Sequence, residues 1–268
     1  GLIVDVRNNG GGEPSMVQLL ISYFTGPEPV QYNSFVWRGG TKTRQLWTLA
    51  FVPGKRLPSI PLFVVTSART GSAAEAFAYS LQAMQRATVV GETTGGAANP
   101  GESFEIGCGF RIFISTGAPI NPITGENWER VGVKPHVEVD SVEAVDRAHH
   151  EALTRLVDKA DSVVAKREVD WALAAIDARR RPVSLSISEL EAYAGIYGTR
   201  QVQVVDGVLT YRRGRRAVRP MVPLHEKDMF VLEGVDGFRI RFERDESGTV
   251  VRMVDLWSDG HTEASTKG

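Results

Sequence analysis

The chain has 268 residues, 42% hydrophobic and 24% charged, ordinary proportions for a soluble globular protein. Its formal net charge of −1 removes any electrostatic argument for nucleic acid or an anionic membrane surface. No run approaches the ~18 apolar residues of a membrane span, and the single Cys108 excludes an internal disulfide framework or a multi-cysteine zinc site.

From Gly1 to about Val139 strand and helix patterns alternate. Leu2-Ile3-Val4-Asp5-Val6 reads as a central, fully buried parallel strand. A chain opening inside such a strand is expected to continue a segment upstream, together with any signal sequence. Glu13 to Phe24 reads as a helix, with Met16, Leu19, Leu20 and Tyr23 at helical spacing. Gly26 to Ser59 is irregular, with extended pieces around Trp37, Trp47 and Phe51. Leu62 to Thr66 is the next strand, Gly71 to Arg86 a helix and Ala87 to Val90 a third strand. This alternation predicts an α/β core, a mostly parallel sheet covered by helices, with functional loops at the carboxyl ends of its strands.

Ser141 to Arg181 is helical, read as two helices, with a Val142-Val145-Ala148-Ala152-Leu156 stripe and a basic step, Arg179-Arg180-Arg181-Pro182, that reads as a linker. From Ser186 short alternating strands begin, including a Val202–Tyr211 hairpin turned at Asp206-Gly207. They predict a small antiparallel barrel or sandwich. The expected organisation is a core over 1–140, a helical segment over 141–185 and an accessory β domain over 186–268.

The chemistry is concentrated in two glycine-rich turns that follow strands. Ser72 starts a helix, where free backbone N–H groups favour developing negative charge. It reads either as a helix cap, in a capping box with Glu75, or as a nucleophile. For the second reading, Ala73 N–H supplies one oxyanion donor, and Gly10 and Gly11 of Asn9-Gly10-Gly11-Gly12 are suited to supply another. The alternative for that loop is a plain turn; the GxGxxG spacing of a dinucleotide loop is absent. Gly107-Cys108-Gly109 reads as a buried, strand-like stretch.

LIVDVRNNGGG, TSARTGSAAEAFA, VVGETTGGAANP and WERVGVKP, in that order, resemble the tail-specific (C-terminal processing) serine peptidase family, in particular its interphotoreceptor-retinoid-binding-protein-like and tricorn-core-like branch. The resemblance covers Gly1 to about Val139. It implies a crotonase/ClpP-like core that cleaves peptide bonds through an acyl-enzyme on Ser72, without metal or cofactor. One branch of the family uses a lysine where this chain has Ala97. The other uses a histidine with a glutamate at the position of Glu129, and takes that histidine from a strand preceding LIVDVR. None of the five histidines here fits, and His136 stands where the family pattern has aspartate. The resemblance further implies a polypeptide substrate, no nucleic acid, no membrane span, compatibility with a homo-oligomer, and residence in the bacterial periplasm or outside the cell. The competing expectation is a non-catalytic module for lipophilic ligands or peptides. The Leu190–Gly198 segment resembles the Y-x-G-x-Y opening of small β domains appended to serine hydrolases.

Overall fold

The computed structural model describes residues 1–39, 43–157, 159–235 and 237–268. The chain divides into two compact units, Gly1–Ala152 and Leu153–Gly268.

In the first unit, four parallel strands pair in the order β1 (Leu2–Asp5), β4 (Leu62–Thr66), β5 (Thr88–Gly91) and β9 (Val137–Glu138). Every residue of β4 is buried, as the unbroken run LFVVT requires of a strand covered on both faces. Its side chains alternate between two cores. Leu62 and Val64 join Val17, Ile21, Phe77 and Leu81 from α1 (Pro14–Tyr23) and α2 (Ala73–Ala83). Phe63 and Val65 meet Ala144, Ala148 and Ala152 of α3 (Ala144–Val157) on the opposite face. Small alanines let that helix lie close to the sheet.

Four readings of this region change. The strand at Leu2 is an edge of the described sheet and only half-buried, so it is neither central nor fully buried; β4 has that place. Phe51 lies in no strand and is 80% exposed. The region over 26–59 contains β2 (Gln31–Trp37) and β3 (Thr43–Trp47), which form an antiparallel sheet with β8 (Gly117–Ile120). Between them in sequence, β6 (Gly101–Gly107) and β7 (Phe110–Ser115) make a separate two-stranded hairpin. Cys108 sits at its turn with φ 52° and is exposed, which corrects the buried, strand-like reading. Flanking glycines allow the tight reversal that a strand would not need. Val142 precedes α3 and is exposed, so the apolar stripe of that helix begins later than the periodicity suggests.

The second unit contains α4 (Val163–Arg180) and α5 (Ile187–Tyr193), followed by eight antiparallel strands in simple sequential order. The strands are β10 (Gly195–Tyr197), β11 (Arg200–Val205), β12 (Val208–Arg213), β13 (Arg219–Pro223), β14 (Met229–Leu232), β15 (Phe238–Arg244), β16 (Val250–Trp257) and β17 (Thr262–Thr266). A bridge from Tyr197 to Lys267 and a Gly268 N–H to Ile196 carbonyl bond join the two ends of the sheet, giving an up-and-down barrel closed by a narrow seam. The Asp206-Gly207 turn has φ 50° and 78°, the left-handed pair that suits a two-residue hairpin. Helix α5 was not anticipated by the strand reading from Ser186 onward. Ser186 accepts from Glu189 N–H while Glu189 accepts from Ser186 N–H, a capping box that does announce a helix.

Candidate active site

The loops after β1 and β4 are zipped together. Thr70 Oγ1 donates to the Val6 carbonyl at 2.8 Å, Gly71 N–H donates to the Asn9 carbonyl at 3.0 Å, and the Ser67 hydroxyl donates to the Arg7 carbonyl. The glycine loop is thereby held against the start of α2. Gly11 has φ 118°, and a Cβ there would stand 2.7 Å from Ser72 Cβ, so only glycine fits this approach. Its N–H donates to Asn9 Oδ1 at 2.9 Å. Ala73 is the first residue of α2, so its N–H has no intrahelical acceptor. Gly10, Gly11, Ser72 and Ala73 are therefore brought together.

Ser72 is exposed and has φ 50° and ψ −118°, a conformation L-residues rarely adopt. Such a backbone costs about 1–3 kcal/mol and persists only when its surroundings over-determine it. Both sides of a capping box are in place: the Ser72 N–H donates to Glu75 Oε2 at 2.8 Å, and the Glu75 N–H faces the Ser72 hydroxyl without completing a regular cap hydrogen bond to it. The turn restrains the serine backbone and leaves its oxygen available. A sharp strand-to-helix turn of this kind presents a serine hydroxyl to the space beside it.

Glu75 is completely buried and accepts four hydrogen bonds. Oε1 takes Thr94 Oγ1 at 2.5 Å and Gly96 N–H at 2.6 Å, and Oε2 takes Ala97 N–H at 2.9 Å besides Ser72 N–H. Glu129 holds the next two amides: its Oε2 accepts from Ala98 and Asn99 N–H, both at 2.9 Å. Four consecutive N–H groups, from Gly96 to Asn99, thus end on two carboxylates. Glu129 acts on the 98–99 backbone and forms no ion pair with Arg130 among the described residues. The sequence reading missed this clamp. The Ser72/Glu75 spacing pointed to the cap, but nothing local in the sequence connects either glutamate to residues 96–99.

The segment so fixed lines a cavity of about 420 Å³ that opens beside Ser72. Its walls are mainly apolar: Val17, Phe35, Leu46, Phe113 and the edges of the buried Tyr32 and Trp128. Burial pushes the Tyr32 phenol up to about 12, so it stays neutral. Among the described residues no histidine or lysine lines this cavity, while Ala97, at the position the sequence resemblance assigns to a lysine, does. His136 is structural: Nδ1 accepts from Val89 N–H at 3.0 Å and its own N–H donates back to the Val89 carbonyl, joining the 136 loop to β5. No cluster that would hold a metal ion occurs among the described residues.

Residues 1–139 match the model of peptidase family S41. The chain belongs to peptidase family S41. It is 28% identical over 141 residues to the carboxy-terminal processing protease CtpB of Bacillus subtilis (strain 168), covering 52% of this chain and 28% of that protein. Among solved structures it is similar to the photosystem II D1 C-terminal processing protease, at 23% identity and TM-score 0.43, covering 55% of this chain and 38% of that one. It is also similar to a lipoprotein from Streptococcus agalactiae, at 20% identity and TM-score 0.44, covering 58% and 55%. The chain therefore spans well under two thirds of these relatives. The match ends before α3, so residues 140–268, which include the whole barrel, lie outside the family model. No helix among the described residues is long and apolar enough to cross a membrane.

Proposed function

We propose that this chain carries the nucleophile of a serine endopeptidase that hydrolyses peptide bonds through an acyl-enzyme on Ser72. The observation that carries the reading is the exposed serine at φ 50°, held at a helix start with its hydroxyl uncommitted. Ser72 Oγ attacks the scissile carbonyl. The developing oxyanion is received by Ala73 N–H together with the Gly10–Gly11 backbone. Gly10 is the better donor of the two glycines, because Gly11 N–H is bound to Asn9. Glu75 and Glu129 hold the 96–99 segment, of which Ala97, Ala98 and Asn99 line the cavity, and so fix where the substrate backbone can lie. An apolar side chain next to the scissile bond suits that cavity.

In this reading the core is crotonase/ClpP-like and belongs to the histidine-using branch, with interphotoreceptor-retinoid-binding-protein-like and tricorn-core-like members. The base then comes from outside the residues that line the cavity. Export to the bacterial periplasm or the medium is part of the same proposal and rests on the family resemblance alone. The apolar cavity also supports a second reading, a module that binds a lipophilic ligand or peptide without cleaving it.

Labelling with a fluorophosphonate probe, with and without added imidazole as a surrogate base, separates the two readings. The expected result is modification of Ser72 that disappears in Ser72→Ala. A folded chain that stays unlabelled under both conditions overturns the nucleophile and leaves the binding module.

A further inference from the structure

A second cavity, of about 480 Å³, lies at the end of the barrel where the β12–β13, β14–β15 and β16–β17 connections meet. Its floor is aromatic. Tyr211, Phe238 and Trp257 form a chain of rings, with centroids 6.3 Å and 5.2 Å apart. Eight-stranded barrels either fill their interior with side chains or keep room for one small ligand, and mouths of barrels are common ligand sites. Here Tyr211 and Phe238 fill the interior, and the space begins above them.

The rim has a different character. Arg212, Arg213, Arg215, Arg216 and Arg219 fall within eight consecutive positions, in a chain whose overall charge is near zero. Three of them, Arg213, Arg216 and Arg219, line the cavity. Arg213 is neutralised by Glu263 at 3.0 Å. Arg219 donates to the Glu233 carbonyl at 3.2 Å, and neither it nor the exposed Arg216 has a carboxylate partner among the described residues. Two guanidinium groups without a carboxylate partner among the described residues thus stand over an apolar floor.

We propose that this barrel mouth binds a ligand with an apolar or aromatic body and one terminal carboxylate. Guanidinium forks match a carboxylate in two parallel hydrogen bonds, and the rings take the body out of water. Nucleic acid is a poorer fit. Binding of a strand needs a row of ring faces along an open groove, and here the rings are gathered at the floor of a single cavity, Trp257 being the partly exposed one of the three. Two sources share the required chemistry: a free aliphatic acid and the carboxyl-terminal apolar residue of a polypeptide.

Calorimetric titration of the whole chain tests this with decanoate, decanol and decylamine, and with an acetylated peptide ending in phenylalanine as its free acid or its amide. Saturable binding is expected of decanoate, of the peptide acid, or of both, and whichever binds identifies the source. The corresponding alcohol, amine or amide should bind about tenfold more weakly. Arg216→Ala combined with Arg219→Ala changes only exposed rim groups and should reduce acid binding about tenfold. Ala217→Trp should block the mouth while leaving the charge in place. Ser72→Ala should titrate as the unaltered chain does, so the result stands apart from the peptidase reading. Equal binding of acid and amine, no binding of either acid, or binding indifferent to both rim variants overturns the proposal. So does an oligodeoxythymidylate that binds through the same arginines without competition from the acid that bound.

Discussion

Ser72 combines a strained backbone with an uncommitted hydroxyl, and its two closest supports are Gly11 and Glu75. Gly11→Ala would drive a methyl group into Ser72 at a φ that alanine avoids. We expect a loss of about 10²-fold in probe labelling, from displacement of the Ser72 hydroxyl, with the fold retained by circular dichroism. Glu75→Gln replaces a carboxylate that accepts four hydrogen bonds with an amide that presents two protons to a cluster of donors. A destabilisation of about 2–4 kcal/mol is expected in denaturant unfolding, together with slower labelling of Ser72. A wild-type unfolding midpoint in that variant would show that the buried carboxylate is not the organiser of this turn.

At the scale of elements, the end of β5 is tied to its neighbours by Glu92, whose carboxylate accepts from Ala68 N–H at 3.0 Å and Ser141 N–H at 3.1 Å. These backbone donors hold the Glu92 carboxyl below its ordinary value. A carboxyl depressed in the folded state adds stability above its unfolded-state pKa, and that increment is lost as pH falls through the folded value. Melting temperature should therefore drop below about pH 4, and Glu92→Gln should lower it at neutral pH while flattening the acid limb. An acid limb unchanged by the substitution would assign the loss to other groups, Asp5 first, since its hydrogen bond from Arg7 depresses it in the same sense.

Each unit of the molecule has its own core, and the barrel also has a buried ionic centre. Arg200 is 3% exposed; its Nε donates to Asp255, itself fully buried, at 2.8 Å, and its Nη2 is ion-paired with Glu263 at 2.6 Å. Burial works against the charge on Arg200, but its bonds to Glu263 and Asp255 prevail and raise its pKa. Burial pushes the Asp255 carboxyl up despite the arginine. Asp255→Asn leaves Arg200 without its buried counter-ion and should destabilise the barrel by about 3–5 kcal/mol. Labelling of Ser72 at temperatures below that transition should be unaffected, because the residues around Ser72 belong to the other unit.

Much of this was legible in the sequence because it is encoded at short range. The buried run LFVVT, the Asp206-Gly207 turn and the glycine loop before α1 each express a periodicity or a φ requirement within a few residues. The Ser72/Glu75 and Ser186/Glu189 spacings did the same, although only the first was read as a helix start. The tertiary structure alone decided what joins residues distant along the chain. Glu75 and Glu129 share four successive amides across separations of 21 to 31 residues, and no spacing rule links them. The edge position of β1, the exposure of Cys108, the closure of the barrel through Lys267 and the arginine rim over its aromatic floor are likewise products of packing. Hydrogen-bond demand and apolar burial fix such contacts only once the whole chain has chosen its partners.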